Sequence, residues 1–246
     1  MSLAGKLSDL RVLASLARGL PTEGSAAGQL ASFYGPQAAD YDRFRERLLQ
    51  GRREMIAALD LQPGSRVIEF GAGTGRMLEE YRDRLDVLAK VDLVDLCDPL
   101  LAQARQRANG HPKVGVHHAD ACQWQPEQPA DRVYFSYALS MIPHWYRAID
   151  NAARCLAPGG RIGVVDFQVA PRAGSARGFR QGRLARHLWP WWFDHDGVRL
   201  GSDLLGYLEY RFETVEVREL RARLPYLPGL HVPYFLYIGR KAGKET

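Results

Sequence analysis

Apolar positions along the chain alternate between short continuous runs and helically spaced sets. The run Val67-Ile-Glu-Phe70 reads as a buried strand, and Met77, Leu78, Tyr81 and Leu85 behind it share one face of a predicted helix. Val91-Asp-Leu-Val-Asp-Leu96 predicts a second strand. Leu100, Leu101, Ala104 and Ala108 predict a helix closed by Gly110 and Pro112. Residues 114–118 and 132–137 read as the third and fourth strands. A helix over about 146–156 stops at Pro158-Gly-Gly160, and 161–167 reads as the fifth strand. This alternation predicts an open parallel sheet with helices on both faces. Residues 214–220 and 233–239 are strand-like and joined through Pro225, Pro228 and Gly229, which predicts a C-terminal antiparallel hairpin at one sheet edge and seven strands in total.

The flanks are different. Leu3, Leu7, Leu10, Leu13, Leu16 and Leu20 recur near helical spacing, and a basic helix is expected over about 43–59. The expected organisation is N-terminal helices and a lid segment over 1–60, followed by a sheet domain over 61–246 with an insertion at about 168–210. From Phe167 to Phe193 that insertion has no acidic residue. Arg172, Arg177, Arg180, Arg183 and Arg186 precede Leu188-Trp-Pro-Trp-Trp-Phe193. Basic residues beside tryptophans suit a bilayer interface; the same composition also serves RNA, or a solvated face beside aromatics that cover the core.

Composition narrows the setting. With 246 residues, 46% of them hydrophobic, the chain has enough apolar material for one large core. Cys97, Cys122 and Cys155 lie far apart without a C-x-x-C pair, which argues against a metal knuckle or a disulfide framework and for reduced thiols in the cytoplasm. No apolar run approaches the ~20 residues that span a bilayer, and Arg11 and Arg18 interrupt any signal-peptide core. A net charge of +5 and a pI near 9.2 favour an anionic partner surface.

The chemistry centres on Glu69-Phe-Gly-Ala-Gly-Thr-Gly75. A dinucleotide loop needs G-x-G-x-x-G, whose third glycine would fall at Arg76. The pattern E-x-G-x-G-x-G instead resembles the first motif of class I S-adenosylmethionine (AdoMet) methyltransferases, a Rossmann-like α/β family. That resemblance implies AdoMet as cofactor, with Gly71, Gly73 and Gly75 against its methionine and ribose parts and Glu69 toward its amino group. Asp95, at the carboxyl end of the second strand, is expected to accept the ribose hydroxyls beside Leu96; Asp92 is the alternative. Asp120 is expected at the adenine amino group, and the Ala121 N–H at a ring nitrogen. Ser136 and, from the lid, Tyr41 complete the cofactor set. No metal is expected. The loop Phe135-Ser-Tyr-Ala-Leu-Ser-Met-Ile-Pro-His-Trp-Tyr146 should build the acceptor site. His144 there is a candidate proton acceptor, and Tyr137, Trp145 and Tyr146 are candidates for cation–π contact with a methylated ammonium.

A closer resemblance covers residues from about 30 to the end. It rests on Phe33-Tyr-Gly-Pro-Gln-Ala-Ala-Asp-Tyr-Asp42 with Leu49-Gln-Gly-Arg52, on Val94-Asp-Leu-Cys97, on 135–145, on Val164-Val-Asp-Phe167 and on Pro233-Tyr-Phe-Leu-Tyr-Ile-Gly-Arg240. These stretches resemble the N-methyltransferase component of betaine lipid synthesis, which trimethylates diacylglyceryl homoserine. The resemblance implies a lipid headgroup amine as substrate, peripheral work at the cytoplasmic membrane face, and a separate aminocarboxypropyl transferase that makes that lipid. A soluble small-molecule methyltransferase, acting on an amine or a quinone precursor, is the competing expectation. Nucleic acid is disfavoured as a partner, because no Asn/Asp-Pro-Pro-aromatic tetrad or cysteine follows the fourth strand. An AdoMet-binding regulatory subunit is the non-enzymatic alternative.

Overall fold

The computed structural model describes residues 28, 48–170, 177–194, 198–224 and 230–243. The expected N-terminal helix, the 33–42 segment with Tyr41, Arg172 and the side chains of Arg183, Trp191 and Trp192 lie outside the described residues.

Seven strands form one sheet in the order β3-β2-β1-β4-β5-β7-β6. The strands are β1 (Arg66–Phe70), β2 (Lys90–Asp95), β3 (Val114–His118), β4 (Ala130–Ser136), β5 (Leu156–Phe167), β6 (Glu213–Arg223) and β7 (His231–Arg240). The first five pair in parallel. β7 runs antiparallel between β5 and β6, so the expected C-terminal hairpin is present with its second strand turned inward and β6 on the edge. β1 lies inside the sheet, between β2 and β4, and its side chains suit burial on both faces. Val67, Ile68, Glu69 and Phe70 are each at most 1% exposed.

Helix α1 (Arg52–Leu59) packs Met55, Ile56 and Leu59 into the core beside β5. The expected 43–59 helix is interrupted before Arg52, where Gly51 takes a φ of +83°. A Cβ at Gly51 would come within 2.8 Å of the Tyr234 ring and 3.2 Å of Val165, so only glycine lets the chain turn this closely over β5 and β7. After the glycine loop the expected helix is instead a 3₁₀ segment, Arg76–Val87, broken at Tyr81 (φ −143°, ψ 28°). Met77, Leu78, Tyr81 and Leu85 are buried as their spacing predicts. Helix α2 (Asp98–Ala108) ends in left-handed Asn109 and Gly110, and α3 (Trp145–Cys155) leads directly into β5. The insertion holds α4 (Arg183–Asp194) and α5 (Leu204–Arg211).

The chain leaves β1 toward β2 and β3, then crosses back to β4 on the other side of β1. The carboxyl ends of β1, β2 and β4 therefore flank the point where strand order reverses, which is where open α/β sheets bind ligands. Gly71 stands at that point with a φ of +70°, and a Cβ there would lie 2.3 Å from that of Ala138. Gly71→Ala should lower unfolding free energy by about 2–4 kcal/mol in urea titrations, through backbone strain and overpacking. Gly206→Ala, in α5 with open space around it, should raise stability by about 0.5 kcal/mol through helix propensity. Equal effects of the two substitutions would contradict this reading of the loop.

Candidate cofactor and acceptor site

The glycine loop is pinned by the end of β2. The Gly71 and Ala72 N–H groups both donate to the Val94 carbonyl, at 2.8 and 3.1 Å. Asp95, the next residue, accepts the Gly73 N–H on Oδ2 at 2.8 Å and the Cys97 N–H on Oδ1 at 2.7 Å. Burial pushes its carboxyl up, against the pull of these donors. The Leu96 N–H also acts on this carboxyl, so of its about four acceptor positions one remains for a ligand hydroxyl. Asp92 is spent elsewhere, facing His117 Nε2 at 2.8 Å. The loop leaves room for a ligand: a Cβ at Gly73 would meet only Leu100, at 3.8 Å.

The third strand adds a turn beside this one. The Ala119 N–H donates to the Asp95 carbonyl at 3.0 Å, so the two turns are hitched together. Asp120 Oδ1 accepts the Cys122 N–H at 2.8 Å, and buried Asn151 of α3 donates to the Ala121 carbonyl at 2.9 Å. The Leu96 carbonyl lies 3.0 Å from His118 Nε2. Asp95, Leu96, Asp120, Ala121 and the three loop glycines are thus brought to one edge of the sheet.

Glu69 sits beneath the loop in a buried chain of hydroxyls. Its neighbour across β4 is Tyr134, whose hydroxyl donates to Glu69 Oε2 at 2.9 Å; Tyr81 lies 2.9 Å beyond. Burial pushes the Glu69 carboxyl up to about 8, opposed by the Tyr134 hydrogen bond and the nearby Arg52 charge. Ser136, at the end of β4, accepts from Arg52 Nε at 3.0 Å.

The acceptor loop begins with strained backbone. Tyr137 has a φ of +55°, a region that costs a non-glycine residue about 1–3 kcal/mol. Three contacts hold it there. Its N–H donates to the Val165 carbonyl at 2.8 Å, its hydroxyl to the Gln50 carbonyl at 2.5 Å, and its ring lies 4.6 Å from Phe167. Asp166 fixes the following 3₁₀ turn (Leu139–Met141) by accepting the Ser140 N–H at 3.0 Å, and burial pushes its carboxyl up to about 6.

The candidate aromatic residues divide into two groups. Tyr137 joins Phe167, Phe193 and Trp189, the last only 2% exposed. Within the Leu188–Phe193 cluster, Trp189 and Phe193 therefore cover the core, while Leu188 is exposed. Trp145 and Tyr146 lie with Tyr207 and Tyr210 on an outer face, and His144 is exposed beside Tyr146. Tyr137 is not brought together with His144 or Trp145.

Arg52, Tyr134, Tyr81 and Asp166 enter the site without having been singled out for it in the sequence. Arg52 reads there as one of a series of basic helix residues. Its signal is its place directly after Gly51, where the chain is forced against the sheet.

Comparison with known proteins fits this geometry. Residues 41–202 match the family described as "Methyltransferase domain", and the chain belongs to that family. Among curated relatives, trans-aconitate 2-methyltransferase of Methylobacterium nodulans is 32% identical over 127 residues, 52% of this chain and 48% of that protein. The ubiquinone/menaquinone biosynthesis C-methyltransferase UbiE of Bordetella avium is 28% identical over 152 residues, 59% of each. The chain thus spans about half the length of the curated relatives it matches. Among solved structures, the N-methyltransferase NodS of Bradyrhizobium japonicum, in complex with S-adenosylhomocysteine, aligns with a TM-score of 0.64 at 16% identity. That alignment covers 86% of this chain and 98% of NodS. Phosphoethanolamine N-methyltransferase 2 of Haemonchus contortus, bound to AdoMet, aligns at 0.66 and 12% identity over 90% of this chain and 61% of its own. The fold is the Rossmann-like methyltransferase fold, and AdoMet is the cofactor of this family.

The Glu69 carboxyl gives a test of the site's electrostatics. Its folded-state pKa is raised from 4.5 to about 8, so its stabilising contribution is complete below pH 4.5 and is lost as pH rises through 8. Urea unfolding between pH 5 and 8 should show stability falling by up to about 1.4 kcal/mol per pH unit from this group, and Glu69→Gln should remove that slope. An unchanged slope in Glu69→Gln would contradict the assignment.

Proposed function

We propose that the chain is an AdoMet-dependent N-methyltransferase whose acceptor is the amine of diacylglyceryl homoserine, which it converts to the trimethylated betaine lipid. The observation that carries this reading is the run 135–145, the most specific part of the sequence resemblance, which leaves β4 at the carboxyl edge beside the glycine loop.

AdoMet supplies an electrophilic methyl group on a sulfonium. The chain's contribution is alignment and exclusion of water. In this reading Asp95 holds the ribose, Asp120 and Ala121 the adenine edge, and Glu69 the amino group, with Leu96 and Ser136 beside them. Tyr137, buried and fixed by Val165, Gln50 and Phe167, is in this reading the aromatic residue that backs the acceptor end of the cleft. The acceptor's ammonium must lose a proton before each methyl transfer; His144, exposed at the start of α3 on the outer face, is in this reading the group that relays such a proton to solvent and does not touch the reacting nitrogen beside Tyr137.

Contact with a membrane surface is part of the proposal. Trp145, Tyr146, Tyr207 and Tyr210 form an outward aromatic group that starts at the acceptor loop, and Tyr210 is 81% exposed. Such side chains suit the headgroup level of a bilayer. No helix among the described residues is long and apolar enough to cross a membrane. The lipid substrate would come from a separate aminocarboxypropyl transferase.

A second reading is a soluble small-molecule acceptor, and the named relatives favour it: their names give trans-aconitate and a ubiquinone/menaquinone-pathway C-methylation. The two readings part in one experiment. Methyl-labelled AdoMet and the purified chain are incubated with diacylglyceryl homoserine in mixed micelles, and the lipid is read by mass. Three added methyls, with turnover dependent on the micelles, is the expected result. An unmodified lipid, alongside methylation of soluble acceptors indifferent to micelles, would replace this reading with the second.

A further inference from the structure

The geometry points to Tyr134 and Tyr81 as positioning residues for cofactor binding: their hydroxyls form a directed chain onto Glu69, and binding of the cofactor's ammonium there expels a proton from the Glu69 carboxyl. The inference rests on the reading above that Glu69 meets the amino group, and it is independent of the acceptor.

The three side chains come from three elements. Glu69 and Tyr134 are register partners on β1 and β4, so their side chains share one face of the sheet. Tyr81 meets them from the 3₁₀ segment, which breaks at this residue. Its ring packs edge-on against that of Tyr134, with centres 6.5 Å apart at 89°. All three residues are at most 1% exposed.

The bonds have a direction. A phenol carries one proton. Tyr134 commits its proton to Glu69 Oε2 at 2.9 Å, so Tyr81 is the donor in the 2.9 Å contact between the two hydroxyls. The chain therefore runs from Tyr81 to Tyr134 to Glu69, and each donor strengthens the next. It ends on Oε2, which leaves the proton of a neutral carboxyl on Oε1.

A carboxylate in this place has little to keep it charged. The charged and titratable groups that face Glu69 are Tyr134 of β4, Tyr81 of the 3₁₀ segment, Arg52 of α1 and Asp95 at the end of β2. Arg52 favours the charged form and Asp95 opposes it. Burial outweighs the hydroxyl chain, so the carboxyl holds its proton up to about pH 8. Both phenols stay protonated over that range, because burial pushes them above the ordinary tyrosine value. An arriving ammonium supplies the missing counter-charge. It pairs with Oε1, and the carboxyl proton goes to solvent. The hydroxyl chain favours the ionised form and so sets the pH at which this exchange becomes easy.

The test is calorimetric titration with S-adenosylhomocysteine from about pH 5.5 to 9, in buffers of different ionisation enthalpy that count the protons released. The wild type should release about one proton per ligand near pH 7, and its affinity should rise about tenfold per pH unit below about pH 8. Glu69→Gln should lose that proton and that slope; with the same ligand and Asp95 present, it isolates the contribution of Glu69. Tyr134→Phe should bind about tenfold more weakly than the wild type near pH 7 and converge on it as pH rises, because the carboxyl then ionises about one pH unit higher. Tyr81→Phe leaves the bond to Glu69 in place and should show a smaller displacement in the same direction. Binding at high pH reports that each variant is folded. A constant ratio of affinities between Tyr134→Phe and the wild type at every pH would overturn the inference while leaving the Glu69 contact intact. A Glu69→Gln variant that matches the wild type in affinity and proton count would remove that contact and the inference with it.

Discussion

The carboxylate of Asp95 is the interaction on which the cleft depends. It ties the Gly73 N–H to the Cys97 N–H, and so fixes the glycine loop of β1 against the start of α2. Hydrogen bonds to a charged acceptor contribute about 1.5–3 kcal/mol each, enough to hold a loop whose glycines all have positive φ. The same residue passes the constraint on: its carbonyl accepts the Ala119 N–H, which sets the Asp120 turn. One side chain and its peptide thus link three strand ends.

The other half of the cleft depends on burial of polar groups. Glu69 and Asp166 are at most 1% exposed, and burial raises both carboxyl pKa values. Glu69 is stabilised by the Tyr134 hydroxyl and the Arg52 charge, Asp166 by the Ser140 N–H of the acceptor loop and the N–H of Phe167, its neighbour in β5. The positive φ of Tyr137 follows from this arrangement. Gly71 approaches Ala138 so closely that the loop after β4 must turn sharply at 137. Strain at Tyr137, glycine at 71 and the Asp166 anchor are three consequences of packing two turns against each other at one sheet edge.

Much of the architecture was legible in the sequence because period and length agreed. The β1–β5 runs and the burial of Met77, Leu78, Tyr81 and Leu85 follow from apolar spacing, and the C-terminal antiparallel strands from that spacing together with the proline and glycine residues between them. The 3₁₀ character of 76–87 was not legible, since the same apolar spacing serves both helix types. Nor was the inward place of β7, which depends on which strand finds the β5 edge. The placement of Asp95 and Asp120 at the strand ends was readable in the sequence. That of Arg52 was not, because a helical arginine has the same appearance whether it faces water or a cleft; only the close approach at Gly51 decides it. The split of the aromatic residues into a Tyr137 group and a Trp145 group is likewise a tertiary outcome, since eight residues separate two side chains that face different sides of the sheet edge.

The most direct test of the account is a crystal structure of this chain with S-adenosylhomocysteine. The account predicts the ribose hydroxyls on Asp95 and the amino acid end on the Glu69 side of the glycine loop, with the loop backbone and Tyr137 in their present conformations. A ligand bound with the amino acid end away from Glu69, or one that leaves Asp95 bonded to the backbone alone, would contradict it.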